Sequence, residues 1–584
     1  KHTTIPRDKW YCFTLNNDIG CSTSSWVPCI DNFYEKPAWD VNIVVPKTVG
    51  NIGTSMLIGT KEATKALQKM AAQNMMLADS ENKITGSKDQ KSETGDDGDE
   101  DEDESSDKME DIPITVVVPE LVSSREGPHP MDVAKKLVNF QFYNPVCAHH
   151  LGFAVGCFEK TPMVDVKPGT NDFNVHQQMI KQDYADSPIE VSLDASNSNK
   201  VPCLLYYHPG RKEEVLNSTI FLYKVFDYYS KEFSSFPFTS FSLLFIDHLP
   251  AETCSFAGMT IASSHLLYGP KHIEPIFDTT EKLCVALAEQ YSGVHVLPKT
   301  LNDIWCTIGI ARYMSYQFMK KLFGTNHYKF LFEKRCELLC DIDIGKRPLA
   351  NQLFRFPINV DQDLNFINLK APLVLSILDR RITKTDKLFG LSRVIPKIFL
   401  QAMSNDLVNG NNLSTSHFQR VCEKVAHHKL EAFFQNWVYG NGTPIFRITQ
   451  KFNRKRVFIE MTIRQMQASS LNNDEDNMAN KDLVRKDQTL NFVDQANTFL
   501  IDHQNLKVQP AFFGPVNIRI HEVDGSPYEH IFSINDSLVK FDIQYNTKYR
   551  RKKKEKKEEE DLDERDDKEK EIRRKDKNDE PVIN

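Results

Sequence analysis

Two stretches decide how this chain folds: CVALAEQYSGV (Cys284–Val294) and DIWCTIGIARY (Asp303–Tyr313). Helix signals flank both. Asp278 followed three residues later by Glu281 predicts a capping-box start for the first helix. Thr300 and Asp303 predict a weaker form of the same device for the second. Lys320, Lys321 and Gly324 predict its end, with cations at the negative pole of the helix dipole and a glycine suited to a left-handed stop. Side chains at i and i+4 share one helix face, a spacing that can grip a metal ion. Here those positions hold Val285 and Glu289, with Ala286 beside them. A catalytic zinc needs three protein donors and an open place for water. One carboxylate does not hold it, and alanine cannot take a proton from water.

The pair resembles the paired helices of the M1 zinc aminopeptidases, which read roughly HELAHQWFGN and DLWLNEGFAEY. Laid on that pattern, Val285 stands at the first histidine ligand and Ala286 at the general-base glutamate. Glu289 stands at the second histidine, and Ile308 at the distal glutamate ligand. In ETCSFAGMTIASSHLLY, Ser255 falls at the amine-binding glutamate. In INLKAPLVLSIL, Asn368 takes the place of the transition-state tyrosine, followed by Lys370 and by Ala371 instead of glycine. The resemblance therefore implies an α+β multidomain, M1 aminopeptidase-like fold with its chemistry removed: no enzyme, no metal, no cofactor and no small-molecule substrate.

Composition bounds the rest. A chain of 584 residues exceeds what one hydrophobic core serves. Its 40% hydrophobic content, with 37 Phe and 18 Tyr, is ample for globular folding. The net charge of −8 averages very uneven segments. No run of about 18 apolar residues occurs, so no membrane helix is expected. The opening KHTTIPRDKW has neither an initiator Met nor an apolar signal core, and reads as the start of a fragment cut from a longer protein. The 12 cysteines are scattered without CxxC pairs and read as reduced thiols. Cys336 and Cys340 read as small buried hydrophobes on a helix. His149–His150 and Cys422/His427/His428 fit no closed zinc site.

The pattern predicts three folded regions. Residues 1–165 read as part of an N-terminal β domain, with strands in SSWVPCIDNFYEKPAWDVNIVVP and FQFYNPVCAHHLGFAVGCFEK. An acidic insertion at about 79–112 interrupts it, and from Glu93 to Asp111 only Lys108 opposes the acids, so the segment is expected to stay disordered. Residues 200–450 read as an inactive thermolysin-like α/β domain, where Ile220, Tyr223, Phe226 and Phe233 recur near helical spacing. In FQNWVYGNGTPIFRI (Phe434–Ile448) a Trp helix turns into a strand. Residues 451–548 read as a small β sandwich with a polar loop at about 467–490. Within it, Ile518, Ile520 and Glu522 alternate with Arg519, His521 and Val523. A charged tail, 549–584, lacks any apolar face.

Three segments, FFGPVNIRIHEVDGSPYEHI, DIWCTIGIARY and FQNWVYGNGTPIFRI, resemble the large aminopeptidase-like TBP-associated factors of the general transcription factor TFIID. This implies a nuclear scaffold whose partners are TBP and other TBP-associated factors, and which approaches core-promoter DNA near the initiator. Any DNA contact must use local basic patches, which would touch phosphates without reading sequence. Candidates are Arg380, Arg381, Lys384 and Lys387, and Arg454, Lys455 and Arg456; the ordinary reading of each patch is a solvated face, ahead of a phosphate contact. Two alternatives remain. A working metallopeptidase with unusual ligands would depend on Glu289. A pseudo-peptidase would keep its cleft to bind a peptide or chain terminus without cutting it, and Val285→Arg would then weaken a partner without unfolding the domain.

Overall fold

The structure, a computed structural model, describes residues 9–16, 23–30, 35–49, 112–118, 125–142, 145–163, 201–343, 346–350, 364–383, 390–404, 406–407, 411–453, 456, 458–467, 512–521, 528–544 and 568. Nearly all of the acidic insertion, of the polar loop and of the charged tail lies outside the described residues. The chain divides into two compact units, Lys1–Ile342 with Arg347–Tyr439, and Asp343–Lys346 with Gly440–Asn584.

The first unit opens with strands β1 (Tyr11–Phe13), β2 (Trp39–Pro46), β3 (Thr115–Val117), β4 (Arg125–Pro128), β5 (Lys135–Phe142), β6 (Ala154–Gly156) and β7 (Glu159–Pro162). They form two antiparallel three-stranded sheets, ordered β1-β6-β3 and β2-β5-β4. In β5, Val138, Phe140 and Phe142 are buried at every second residue, the period of a strand with one covered face.

β7 belongs elsewhere. It is the edge of a five-stranded sheet, β10-β11-β9-β8-β7, formed with β8 (Cys203–Tyr207), β9 (Phe241–Ile246), β10 (Thr253–Phe256) and β11 (Met259–Ser263). β9 runs parallel to both of its neighbours and is buried throughout, as a strand covered on both faces must be. Phe241, Leu243 and Phe245 join the main helical core. Leu244 and Ile246 face the other way, packing with Val117, Ala154 and Phe158 of the β region.

Nine described helices follow: α1 (Lys212–Ser218), α2 (Leu222–Glu232), α3 (Pro275–Tyr291), α4 (Ile304–Phe323), α5 (Thr325–Ile342), α6 (Asn365–Ile382), α7 (Leu391–Met403), α8 (Thr415–Ala426) and α9 (Glu431–Trp437). Their apolar faces build one core around Trp305, Phe399, Phe418 and Phe434. In α2 the buried stripe is Leu222, Val225, Phe226 and Tyr229, continued by Phe233. Ile220 and Tyr223 are only half-buried, one position off the face expected of them.

Three local expectations are corrected. α3 starts at Pro275, a turn before the expected box, because proline at the first position already suits the helix start. Asp278 instead pairs with Lys282 at 2.7 Å, and Glu281 accepts two hydrogen bonds from Arg335 at 2.5 and 2.7 Å. Gly324 ends α4 with φ 88° and ψ 167°, a positive φ but not the left-handed helical well, since α5 begins at the next residue. Cys340 is exposed and Cys336 half-buried, because α5 has few buried residues, Leu339 among them. The box at Thr300 and Asp303 does form, on the 3-10 turn Leu301–Asp303.

The second unit carries β14 (Pro444–Asn453), β15 (Phe458–Gln467), β16 (Gly514–Ile520), β17 (Tyr528–Ile534) and β18 (Leu538–Gln544); β12 (Leu297–Pro298) and β13 (Asn412–Leu413) make a short parallel pair in the first. A three-stranded sheet, β14-β15-β18, and a two-stranded sheet, β16-β17, share a core of Met461, Ile463, Ile534 and Ile543, with Val516 and Ile518 against it. The two sheets thus pack face to face. β16 alternates as expected, Ile518 and Ile520 inward and Arg519 outward.

Candidate functional site

The residues singled out in the sequence lie on four adjoining pieces: β10, α3, α4 and α6. Val285, Ala286 and Glu289 share α3, Ile308 sits on α4, Ser255 on β10 and Asn368 on α6. Val285 and Ala286 are buried, at 6% and 2% exposure. Ile308 is half-buried against the helical core. An arginine at Val285 would therefore bury a charge within the packed helices, and Val285→Arg would unfold the domain instead of probing a cleft.

The polar positions are closed on one another. The Ser255 hydroxyl donates to Glu289 Oε2 at 2.8 Å, tying β10 to α3. Arg312, absent from the sequence reading, donates through Nε to Asn368 Oδ1 at 2.9 Å and ties α4 to α6. The Ser255 carbonyl lies 3.4 Å from His150 Nδ1 and accepts from Asn16 Nδ2, also at 3.4 Å. Next to Glu289, buried Gln290 accepts from the Gly258 amide at 3.0 Å and donates to Thr260 Oγ1 at 3.2 Å. Burial, aided by His149, drives the His150 imidazole down to about 3. Burial likewise lowers His295 to about 4 and Lys36 to about 8. Desolvation favours the uncharged form of each: both imidazoles are neutral at pH 7, whereas Lys36 stays mostly charged.

The positions that the resemblance assigns to metal ligands do not fit a zinc ion. They offer two apolar side chains and one carboxylate that already accepts the Ser255 hydroxyl. Among the described residues no group of three or more His, Cys, Asp or Glu side chains is placed to hold a metal. The Ser255–Glu289 and Arg312–Asn368 bonds tie β10 to α3 and α4 to α6.

Asp303 anchors the second helix more heavily than its sequence suggests. Its Oδ2 accepts from the Thr300 amide and hydroxyl at 3.1 and 2.7 Å. Its Oδ1 accepts from the Thr415 amide and hydroxyl, both at 2.7 Å. Trp305 Nε1 donates to the same Thr415 hydroxyl at 3.1 Å. Gly309 lets α4 approach α6: a Cβ there would stand 3.0 Å from Leu375 and 3.2 Å from Ala371.

Of the basic candidates, Lys384, Lys387, Arg454 and Lys455 lie outside the described residues. Arg380 is exposed at the end of α6, its guanidinium 5.7 Å from the Phe332 ring. Arg381 is half-buried, which lowers its pKa. Arg456 is exposed in the second unit. Among the described residues no helix is long and apolar enough to cross a membrane.

Residues 441–583 match the family profile of the TAF2 Ig-like domain. A crystal structure of Legionella pneumophila aminopeptidase A in complex with aspartic acid is similar at a TM-score of 0.48 and 10% identity, over 74% of this chain and 40% of that one. The chain is 39% identical to transcription initiation factor TFIID subunit 2 of Saccharomyces cerevisiae over 597 residues, which cover 94% of this chain and 41% of that protein. It is 37% identical to the protein of the same name from Schizosaccharomyces pombe, over 93% of this chain and 42% of that protein. In Drosophila melanogaster the figure is 25%, over 72% of this chain and 31% of the relative. The chain thus spans about two fifths of the length of these two yeast relatives. With more than nine tenths of its residues aligned at this identity to two such proteins, the chain belongs to the TFIID subunit 2 family.

Proposed function

We propose that this chain is a non-catalytic scaffold region of TFIID, working in the nucleus in RNA polymerase II transcription initiation. It supports complex assembly with TBP and other TBP-associated factors, and contact with core-promoter DNA near the initiator. The observation that carries the reading is the likeness to two TFIID subunit 2 proteins over more than nine tenths of the chain. The composition of the old site supports its non-catalytic side. Val285, Ala286, Glu289, Ile308 and Asn368 stand where the peptidase family keeps ligands, base and tyrosine, and Glu289 and Asn368 hold neighbouring elements together. In this reading the partial β domain (1–165), the inactive peptidase-like domain (200–450) and the β sandwich (451–548) serve as rigid mounts. Basic residues such as Arg380, Arg381 and Arg456 supply any contact to phosphates. The alternative, a cleft that binds a peptide or chain terminus, is weaker because Ser255 already occupies Glu289.

The test is purification of the full-length protein from nuclear extract, followed by mass spectrometry of what co-purifies. TBP and its associated factors in stable proportion are expected; unrelated or secretory partners would overturn the assignment. Metal analysis of the same material separates the catalytic question. Stoichiometric zinc together with aminopeptidase activity lost in Glu289→Ala would restore the enzyme.

A further inference from the structure

The outer face of α7 and α8 holds a feature that the old site does not explain. A pocket of about 320 Å³ lies between the two helices. α7 contributes Lys397 and Leu400; α8 contributes His417, Arg420, Val421 and Lys424. The spacing 417, 420, 424 places three side chains along one stripe of α8, and 397 and 400 do the same on α7. Lys397, Arg420 and Lys424 are exposed, and among the described residues none of them forms an ion pair. The nearby acid Glu423 is engaged elsewhere, accepting from Gln419 and from the Leu430 amide. His417 stays close to Gln401, with 3.0 Å between Nε2 and Oε1. Burial lowers its pKa, and Arg420 and Lys424 add to the effect. It therefore lines the pocket as a neutral polar group at pH 7.

Apolar surface sits beside this charge. Leu400 is 61% exposed and Met403, one turn on, is 43% exposed. Val421 is buried at the pocket's inner side. Apolar side chains set among cations that have no carboxylate partner among the described residues, Arg420 Nε donating only to the Ser416 carbonyl at 3.3 Å, match a partner that carries both kinds of group. We infer that the α7–α8 pocket docks an acidic amphipathic peptide segment of a partner protein, its carboxylates on Lys397, Arg420 and Lys424 and an apolar side chain against Leu400 and Val421. The occupant follows from charge complementarity and from the apolar inner wall, the features by which a helix-in-groove contact is recognised. Nucleic acid fits less well: no aromatic ring lines the pocket to stack a base, and phosphates have no use for Leu400. This inference stands apart from TFIID membership, since it rests on the surface alone.

The test uses the 584-residue chain and a fluorescein-labelled synthetic peptide in which Asp and Glu alternate in helical register with Leu and Phe. Anisotropy is expected to give saturable binding that weakens as salt rises. The doubly charge-reversed variant Lys397→Glu/Arg420→Glu should bind at least about tenfold more weakly, with an unchanged circular dichroism melt, because both sites are exposed. Leu400→Ala should weaken binding by a smaller factor. A control peptide with Gln and Asn in place of the acids should not bind. Absence of saturable binding, equal binding of the control peptide, or indifference to the double variant overturns the proposal. So does a DNA duplex that binds more tightly than the peptide and is lost in the same variant, which would make the face a phosphate contact instead.

Discussion

Around the α3–α4 pair, polar side chains are turned on one another. Glu289 takes the Ser255 hydroxyl, Asn368 takes Arg312, and Asp303 takes both Thr300 and Thr415. On the outer face of α7 and α8, Lys397, Arg420 and Lys424 stand in solvent with no carboxylate against them among the described residues. Both faces belong to one unit and both are made by helix pairs. The difference lies in whether the polar groups are spent. Where they are, their loss should be felt as stability; where they are not, it should be felt as binding.

Substitutions can break or sharpen that contrast. The largest effect is expected at Asp303, whose two oxygens accept four hydrogen bonds at a buried position. Asp303→Ala orphans those donors and should cost about 3–5 kcal/mol in chemical denaturation of the helical unit, with Asp303→Asn in between. A change below about 1 kcal/mol would mean that the hub carries no stability. Next is Gly309→Leu, which drives a side chain into Leu375 and Ala371. A cost of about 1–3 kcal/mol is expected, read as a lower melting temperature.

Acid should act on the same interior. His150 ionises near 3 when folded because burial excludes its charged form, against about 6.5 in an unfolded chain. The unfolded state therefore gains a proton first as pH falls. The stability from keeping His150 neutral is intact above about 6.5 and is lost progressively between there and about 3, amounting to about 2 kcal/mol at pH 5. Denaturation series at pH 7 and pH 5 on the chain and on His150→Asn check this: the variant should show a shallower pH dependence. A smaller effect is expected at Glu289. Glu289→Ala should cost about 1–2 kcal/mol by leaving Ser255 without its acceptor, while Glu289→Gln should be nearly neutral because an amide oxygen accepts the same bond. Equal losses in both would implicate the charge itself. At the far end, Lys397→Glu/Arg420→Glu should change stability by less than about 0.5 kcal/mol, as exposed positions do.

Helices, strands and the Thr300–Asp303 box were legible because each rests on local chemistry: periodicity, caps and a terminating glycine. The start of α3 was misread because Asp278 and Glu281 imitate a cap, whereas Pro275, the true start signal, lies a turn upstream. That Val285, Ala286 and Glu289 share one helix was legible in their spacing. The long-range partners around them were not. That Ser255 reaches Glu289 and Arg312 reaches Asn368 depends on elements 34 and 56 residues apart in the chain, which no local pattern encodes. The α7–α8 pocket left a faint local trace in His417, Arg420 and Lys424. Only folding set Lys397 and Leu400 opposite them.

The Asp303 hub also bears on how the chain is made. Its bonds to Thr415 join segments 112 residues apart. At a synthesis rate of about 5–20 residues per second, roughly 6 to 22 seconds separate the emergence of the two halves. During that interval Asp303 has only Thr300 to bond, and the Trp305 indole lacks the Thr415 hydroxyl. The first stretch can coil into its helices on the ribosome, but its core closes only when the distant threonine arrives. The Asp303–Thr415 bonds thus close only after both segments have been made.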